Sequence, residues 1–429
     1  MAKNLRTGLR QSIKASGKAG VTGGGIFSLA PLDLRFAQLK TLDSRVTFTR
    51  ASSGTYVGAD GLVKSASTNE ARFDHNPTTG ESLGLLVEEA RTNLVLQSED
   101  LSTSWTNINT TETTNAATAP DGTTTADKLV ETATTTEHSI RQDSTSQAAG
   151  TYTFSIFAKA AERTFLQFAA TGVLGSFRAN FNIGAGTLGS SDPELITSII
   201  PYGNGWYKCI VTRTTTAAGT LRSQWNIVTS STAARVESYA GDGTSGLLLW
   251  GAQLEAGAFP TSYIPTTTAT VTRAADVASI TGTNFSSWYN QTAGTSLIEL
   301  REVDRTGSRT PRSFSDGTTS NRIDAFFTSS LTVSTRLLVS GSAYNPGNLT
   351  LLAAGTVNKH VISMATGSAI SVANGTLSTE STPPSLPVVN RLVIGADSVG
   401  GTPFTGTIKR LTYWPVRLAN PTLQSITTP

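Results

Sequence analysis

The sequence predicts an all-β protein of tandem β-sandwiches, on three observations. Only 15% of the 429 residues are charged, against roughly 25% in an average globular chain. Threonine is about one residue in six and glycine supplies 39; this excess of β-branched and turn-forming residues disfavours a helical bundle. Apolar and polar residues also alternate over short runs separated by Gly, Asn, Asp and Ser clusters, the pattern of sandwich strands. The length is a prior of roughly three domains.

Taken in order, the chain opens on a basic arm. Of 33 basic residues, Lys3, Arg6, Arg10, Lys14 and Lys18 fall within residues 1–32, which hold no acid. The remainder is close to neutral and offers no field for nucleic acid. Leu5, Leu9 and Ile13 are spaced for a short amphipathic helix, stopped by Gly20 and Gly23–Gly25. Two readings stand for this arm: a frayed terminus, or an anchor that orders on a larger partner. No apolar run approaches the ~18 residues that span a bilayer, and the arm lacks the apolar core of a signal peptide. A soluble protein with no membrane insertion is therefore expected.

Residues 33–95 read as a small β-rich module, with strands in Arg45–Arg50, Ala59–Lys64 and Gly84–Glu88. Asp60-Gly61 predicts a type I′ hairpin, whose two central residues take φ > 0. Residues 96–268 read as one sandwich, in which Tyr152, Phe154, Ile156 and Ala158 share a strand face. Ser176–Ile183, Trp206–Arg213, Leu221–Val228 and Leu247–Glu255 supply further strands, and 110–136 reads as loop plus edge strand. Pro260 and Pro265 lead into an extended Thr266–Thr272 connector. Residues 269–429 then read as a second sandwich, with strands Ser296–Val303, Arg322–Thr328, Leu331–Ser340, Val361–Met364, Arg391–Ile394 and Gly406–Val416. No repeat of 20–50 residues suggests a solenoid or propeller.

Candidate chemistry is sparse. The single Cys209 excludes an intrachain disulfide and a multi-cysteine metal site, and reads as a buried strand thiol. Gly80-Glu-Ser-Leu-Gly84 matches the nucleophile-elbow pattern, which needs a strand before it and a helix after it. Here a turn precedes and a strand follows, so a glycine-flanked hairpin is expected. His75, His138 and His360 lack the spacing of a metal clamp and read as solvated. A glycosidase needs two carboxylates about 5–10 Å apart across a cleft. The neighbours Glu88 and Glu89 point to opposite faces of a strand and read as surface charge or a salt bridge. Nothing in the sequence pairs Asp242, Glu255, Glu299 or Glu302. Asp242 and Asp397 read as turn residues, since a Ca²⁺ site needs six or more oxygens. No catalytic residue, cofactor or metal is expected.

Sugar binding would rest on aromatic faces beside amide and hydroxyl groups. Trp225, flanked by Gln224 and Asn226, has that chemistry, as does Trp288-Tyr289 beside Asn290 and Gln291. Trp225 also shares a strand face with Leu221, Ser223 and Ile227, which is the pattern of a core residue. Trp206, Trp250 and Trp414 read as packing residues.

Three segments resemble a known family. Phe48-Thr-Arg-Ala-Ser-Ser-Gly-Thr-Tyr56, Glu88-Glu-Ala-Arg-Thr-Asn-Leu94 and Ser104-Trp105 together look like the leading module of bacteriophage virion proteins of the head-spike or tail-fibre type. Trp250-Gly-Ala-Gln-Leu-Glu255 with Phe259-Pro-Thr-Ser-Tyr-Ile264 resembles the closing strand of their carbohydrate-binding jelly roll. Val393-Ile-Gly395, Phe404-Thr-Gly-Thr-Ile408, Tyr413-Trp414 and Arg417-Leu418 are similar to the last strands of a concanavalin A or laminin G-like lectin sandwich. The resemblance covers most of residues 46–429. It implies a virion component, trimeric, with a jelly roll over 96–268 and a lectin-like sandwich over 269–429. The arm and residues 33–95 would dock on phage head or tail proteins, and a host-surface glycan would be the outer partner. Because function belongs to a site and not to a fold, a capsid decoration or cement protein and a polysaccharide depolymerase stand as alternatives.

Overall fold

The computed structural model describes residues 23–303, 307–328, 332–353 and 355–429. The arm residues Lys3, Arg6, Arg10, Lys14 and Lys18 lie outside the described residues. Regular structure is overwhelmingly β, with a few short helices.

The jelly roll has two six-stranded antiparallel sheets. One runs Ile196–Pro201, Trp206–Thr215, Gly150–Ala160, Gly246–Ala256, Ala126–Glu131, Thr110–Ala117. The other runs Thr187–Ser191, Arg178–Asn182, Phe165–Ala169, Gly219–Val228, His138–Gln147, Thr106–Ile108. Phe154 and Ile156 of the first sheet meet Phe168, Phe181, Trp225 and Ile227 of the second. The predicted alternation in 150–160 is realised on this inner face. The opposite face is buried too, because Tyr263 of the returning chain covers Phe157 and Trp250.

The second sandwich has two eight-stranded sheets, and residues 32–87 help to build both. Ser82–Val87 pairs with Gly406–Trp414 on one side and with Arg72–His75 on the other. Leu32–Leu34 also pairs with Gly406–Trp414, and Thr47–Thr49 pairs with Val277–Thr281 in the facing sheet. Leu34, Phe36, Phe48, Leu85 and Val87 share one core with Ile280, Ile298, Phe314, Ile362 and Tyr413. The expectation of a separate 33–95 module is corrected here. Its strands are three to six residues long, too short to bury an apolar face alone, and they bury it against the C-terminal sandwich instead.

The jelly roll is thus an insertion in the second sandwich. The chain enters it through Arg91–Asn93 and leaves through Val271–Arg273, and these two strands pair antiparallel. Two local expectations also change. Gly61 takes φ 78° but Asp60 is not at positive φ. The turn is therefore a longer loop rather than type I′, closed by the Gly58 N–H donating to the Leu62 carbonyl and by the Leu62 N–H donating to the Asp60 carboxylate. A C-terminal helix, Asn420–Thr427, carries proline in its first turn, where its missing N–H costs nothing. Its Leu423 and Ile426 pack on Val361, Val372 and Trp414, the outer face of the sheet.

Candidate functional site

The residues singled out for sugar stacking are buried, which corrects that expectation. Trp225 is fully enclosed, edge-on to Phe168 at 5.2 Å, and its Nε1 donates to Ser223 Oγ at 3.1 Å. Gln224 and Asn226 are also buried: Gln224 Nε2 donates to Asn226 Oδ1 at 3.1 Å, and Asn226 Nδ2 donates to the Gln167 carbonyl at 3.3 Å. Trp288 and Tyr289 are 3% exposed each and sit in an aromatic cluster with Phe285, Phe314 and Tyr413. Rings of this size stabilise a core best when wholly desolvated, so these five side chains organise packing and present no face to a ligand.

The three histidines are likewise buried rather than solvated. His138 Nδ1 lies 2.7 Å from the Asn109 carbonyl. His360 lies between Arg312 Nη2 and Thr335 Oγ1, 3.2 Å from each, and burial together with the Arg312 charge holds its pKa well below the usual range. Gly80–Gly84 does form the turn end of a hairpin, between Arg72–His75 and Ser82–Val87. Cys209 is buried, which pushes its thiol pKa up. Asp242 and Asp397 accept backbone N–H bonds within their own turns. Among the described residues, no three His, Cys, Asp or Glu side chains are grouped to hold a metal ion.

Of the two readings for Glu88, the salt bridge is borne out and the surface charge is corrected. Glu88 is buried at the junction of the two sandwiches, not on the surface. Its Oε2 lies 2.7 Å from Arg72 Nη1 and 3.4 Å from Arg273 Nη1. It also accepts from the Ser262 N–H and hydroxyl, at 2.7 Å each, where the jelly roll returns to the second sandwich. Burial by itself would raise the Glu88 pKa, but the Arg273 and Arg72 charges and the Ser262 bonds prevail and hold it at about 2. Asp276 completes the cluster, accepting from Arg72 Nη2 and, at 3.1 Å, from Arg50 Nη1. Pairing and hydrogen bonding offset the cost of burying these charges.

One concavity lies outside the jelly roll. It is an open cleft of about 900 Å³ between residues 40–42, the Gly54–Val57/Val63–Ala66 hairpin and the strand Arg72–His75. Tyr56 and Phe73 line it, each half-buried. Lys64, opposite Tyr56 across the hairpin, places Nζ 2.8 Å from Asp60 Oδ2. Glu70 stands exposed at the rim and accepts the Ser67 N–H at 2.7 Å. His75 closes the cleft from below: its Nδ1 is 3.0 Å from the Val57 carbonyl, while its buried Nε2 has no hydrogen-bond partner. Sequence reasoning missed this group. Two half-buried aromatics on separate short strands carry no periodic signal, and Arg72-Phe73-Asp74-His75 alternates in the sense that would send Arg72 to solvent, whereas Arg72 points into the junction.

No protein-family model and no curated protein matches the chain. Solved structures give partial likenesses. The carbohydrate-binding module CBM40 of the Ruminococcus gnavus IT-sialidase, bound to α2,3-sialyllactose, is 17% identical over 32% of this chain and 84% of that one, with TM-score 0.29. The NanB sialidase from Streptococcus pneumoniae is 14% identical over 35% of this chain and 27% of that one, with TM-score 0.31. A heptameric SAP-like pentraxin from Limulus polyphemus is 16% identical over 32% of this chain and 69% of that one, with TM-score 0.25.

Proposed function

We propose that this chain is a structural attachment subunit of a bacteriophage particle, a head spike or tail fibre that presents lectin-like sandwiches to a host-surface glycan and performs no chemistry. The observation that carries this reading is the insertion of one sandwich into another across a buried charge junction. Such a joint makes a stiff body suited to holding a binding face away from a particle. The sequence likenesses over 48–56, 88–94 and 250–264 point to the same class. Both carboxylates of the junction, Glu88 and Asp276, are held by guanidinium groups, so neither serves as a general acid. Threonine-rich strands suit the role, since β-branched residues favour extended backbone and their hydroxyls wet the surface without charge. A homotrimer would multiply weak sugar contacts by avidity, with the basic arm docking on the particle.

Gold-labelled antibody against the chain tests this on purified particles, with label expected at head vertices or tail-fibre ends. Particles that carry no label would overturn it. In parallel, the purified chain is expected to run as a trimer in light scattering and to bind host-surface polysaccharide without releasing new reducing ends. Label spread over the whole capsid with no sugar binding would favour a cement protein, and new reducing ends would favour a depolymerase.

A further inference from the structure

We infer that the cleft between the 54–66 hairpin and the strand Arg72–His75 is a subsite for one neutral hexopyranose unit. As a sugar site it deepens the attachment reading and rests on it for its biological use. Its size falls within the range of small-ligand sites. Tyr56 and Phe73 line the cleft, each half-buried, and aromatic π faces attract the polarised C–H groups along one side of a pyranose ring.

The polar groups narrow the class. Because His75 Nδ1 faces the Val57 carbonyl at 3.0 Å, that nitrogen carries the proton, and Nε2 is left as a lone-pair acceptor. It belongs to a residue lining the cleft, has no accessible surface while the cleft is empty and has no hydrogen-bond partner, an arrangement that is unfavourable until a small shift of the imidazole admits a donor. A sugar hydroxyl is such a donor. Around it, the cleft balances Lys40 and Lys64 against Asp60 and Glu70, and Lys64 is already engaged with Asp60. With no surplus of either charge, the site favours an uncharged polyol over a uronate or a phosphate, and the carboxylates can accept two further hydroxyls.

Saturation-transfer NMR on the full chain tests this with the methyl glycosides of glucose, galactose and mannose, and with glucuronate. Transfer to the ring C–H protons of at least one neutral glycoside is expected. Its affinity should fall tenfold or more in Tyr56→Ala and stay within about twofold in Tyr56→Phe, which keeps the ring face. An unchanged melting temperature in Tyr56→Ala separates lost binding from lost fold. No transfer to any neutral glycoside, transfer undiminished in Tyr56→Ala, or preference for glucuronate would each overturn the assignment. If Tyr56→Ala still binds host polysaccharide, the subsite fails and the attachment reading stands. If the glycosides bind but particles carry no label, the attachment reading fails and the subsite stands.

Discussion

Arg72 and Arg312 are both fully buried, yet their surroundings predict opposite responses to loss of charge. Arg72 bridges Glu88 and Asp276, so Arg72→Met takes a guanidinium from both buried carboxylates, leaving Glu88 to Arg273 and Asp276 to Arg50, and should cost about 3–5 kcal/mol in urea unfolding. Arg312 lies inside the second sandwich, where Nη2 donates to the Ser296 carbonyl at 3.0 Å and Nη1 has no partner. No described carboxylate lies within ion-pair reach of it, and burial lowers its pKa to about 9. Arg312→Met removes an uncompensated charge and should be neutral or stabilising by about 1–4 kcal/mol. Glu88 adds a pH signature. Its folded pKa of about 2 lies below the ordinary 4.5, so the unfolded chain takes up the proton first. Its contribution is complete above pH 5 and is lost as pH falls toward 2; unfolding midpoints at pH 6, 4 and 3 should drop more steeply in the native chain than in Glu88→Gln. None of these pairings was legible in the sequence, because an ion pair's partner is set by the fold. Glu88 lies beside Arg72 and near Arg273, far apart along the chain, and a carboxylate next to Glu89 looks like surface charge until those guanidiniums are in place.

At the scale of elements, strand positions were largely readable. The alternation in Thr151–Lys159 becomes Gly150–Ala160, and Arg391–Ile394 is recovered as read. Period-2 patterning reports that a segment is a strand, but not what covers its second face, and so Trp225 could be placed on a strand while its access to ligand could not. The C-terminal helix had a readable signal in Pro421 ahead of Leu423 and Ile426, which the surrounding threonines obscured. Gly84 shows how tightly the shared sheet is built. It sits in Ser82–Val87 at φ 100°, and a Cβ there would come 2.2 Å from the Ile408 carbonyl oxygen of the adjoining strand. Gly84→Ala should cost at least about 1–3 kcal/mol from the backbone conformation alone, with the clash adding to it; the thermal midpoint is expected to fall by several degrees. A midpoint within a degree of the native chain would mean the strand shifts freely.

For the whole molecule, the all-β class followed from composition, but the topology did not. Nothing along the chain announces that Leu85 lies opposite Ile408 or that Phe48 lies opposite Ala278, since such contacts close over hundreds of residues. The unit boundaries drawn from turn-rich stretches therefore divide a single core. Fragments should reveal this. Residues 94–268 hold the whole of the jelly-roll core, from Val95 to Leu254, and are expected to melt cooperatively in circular dichroism. Residues 269–429 alone lack Leu34, Phe36, Phe48, Leu85 and Val87 from their core and should aggregate or melt without a transition. A cooperative transition in that fragment would show that the N-terminal strands are dispensable.

The ribbon formed by Arg91–Asn93 and Val271–Arg273 makes the inserted jelly roll an exchangeable cassette. Because its two ends leave the carrier side by side, another sandwich with adjacent termini can be grafted there without rethreading the rest. One block can thus be replaced while the carrier keeps its own fold.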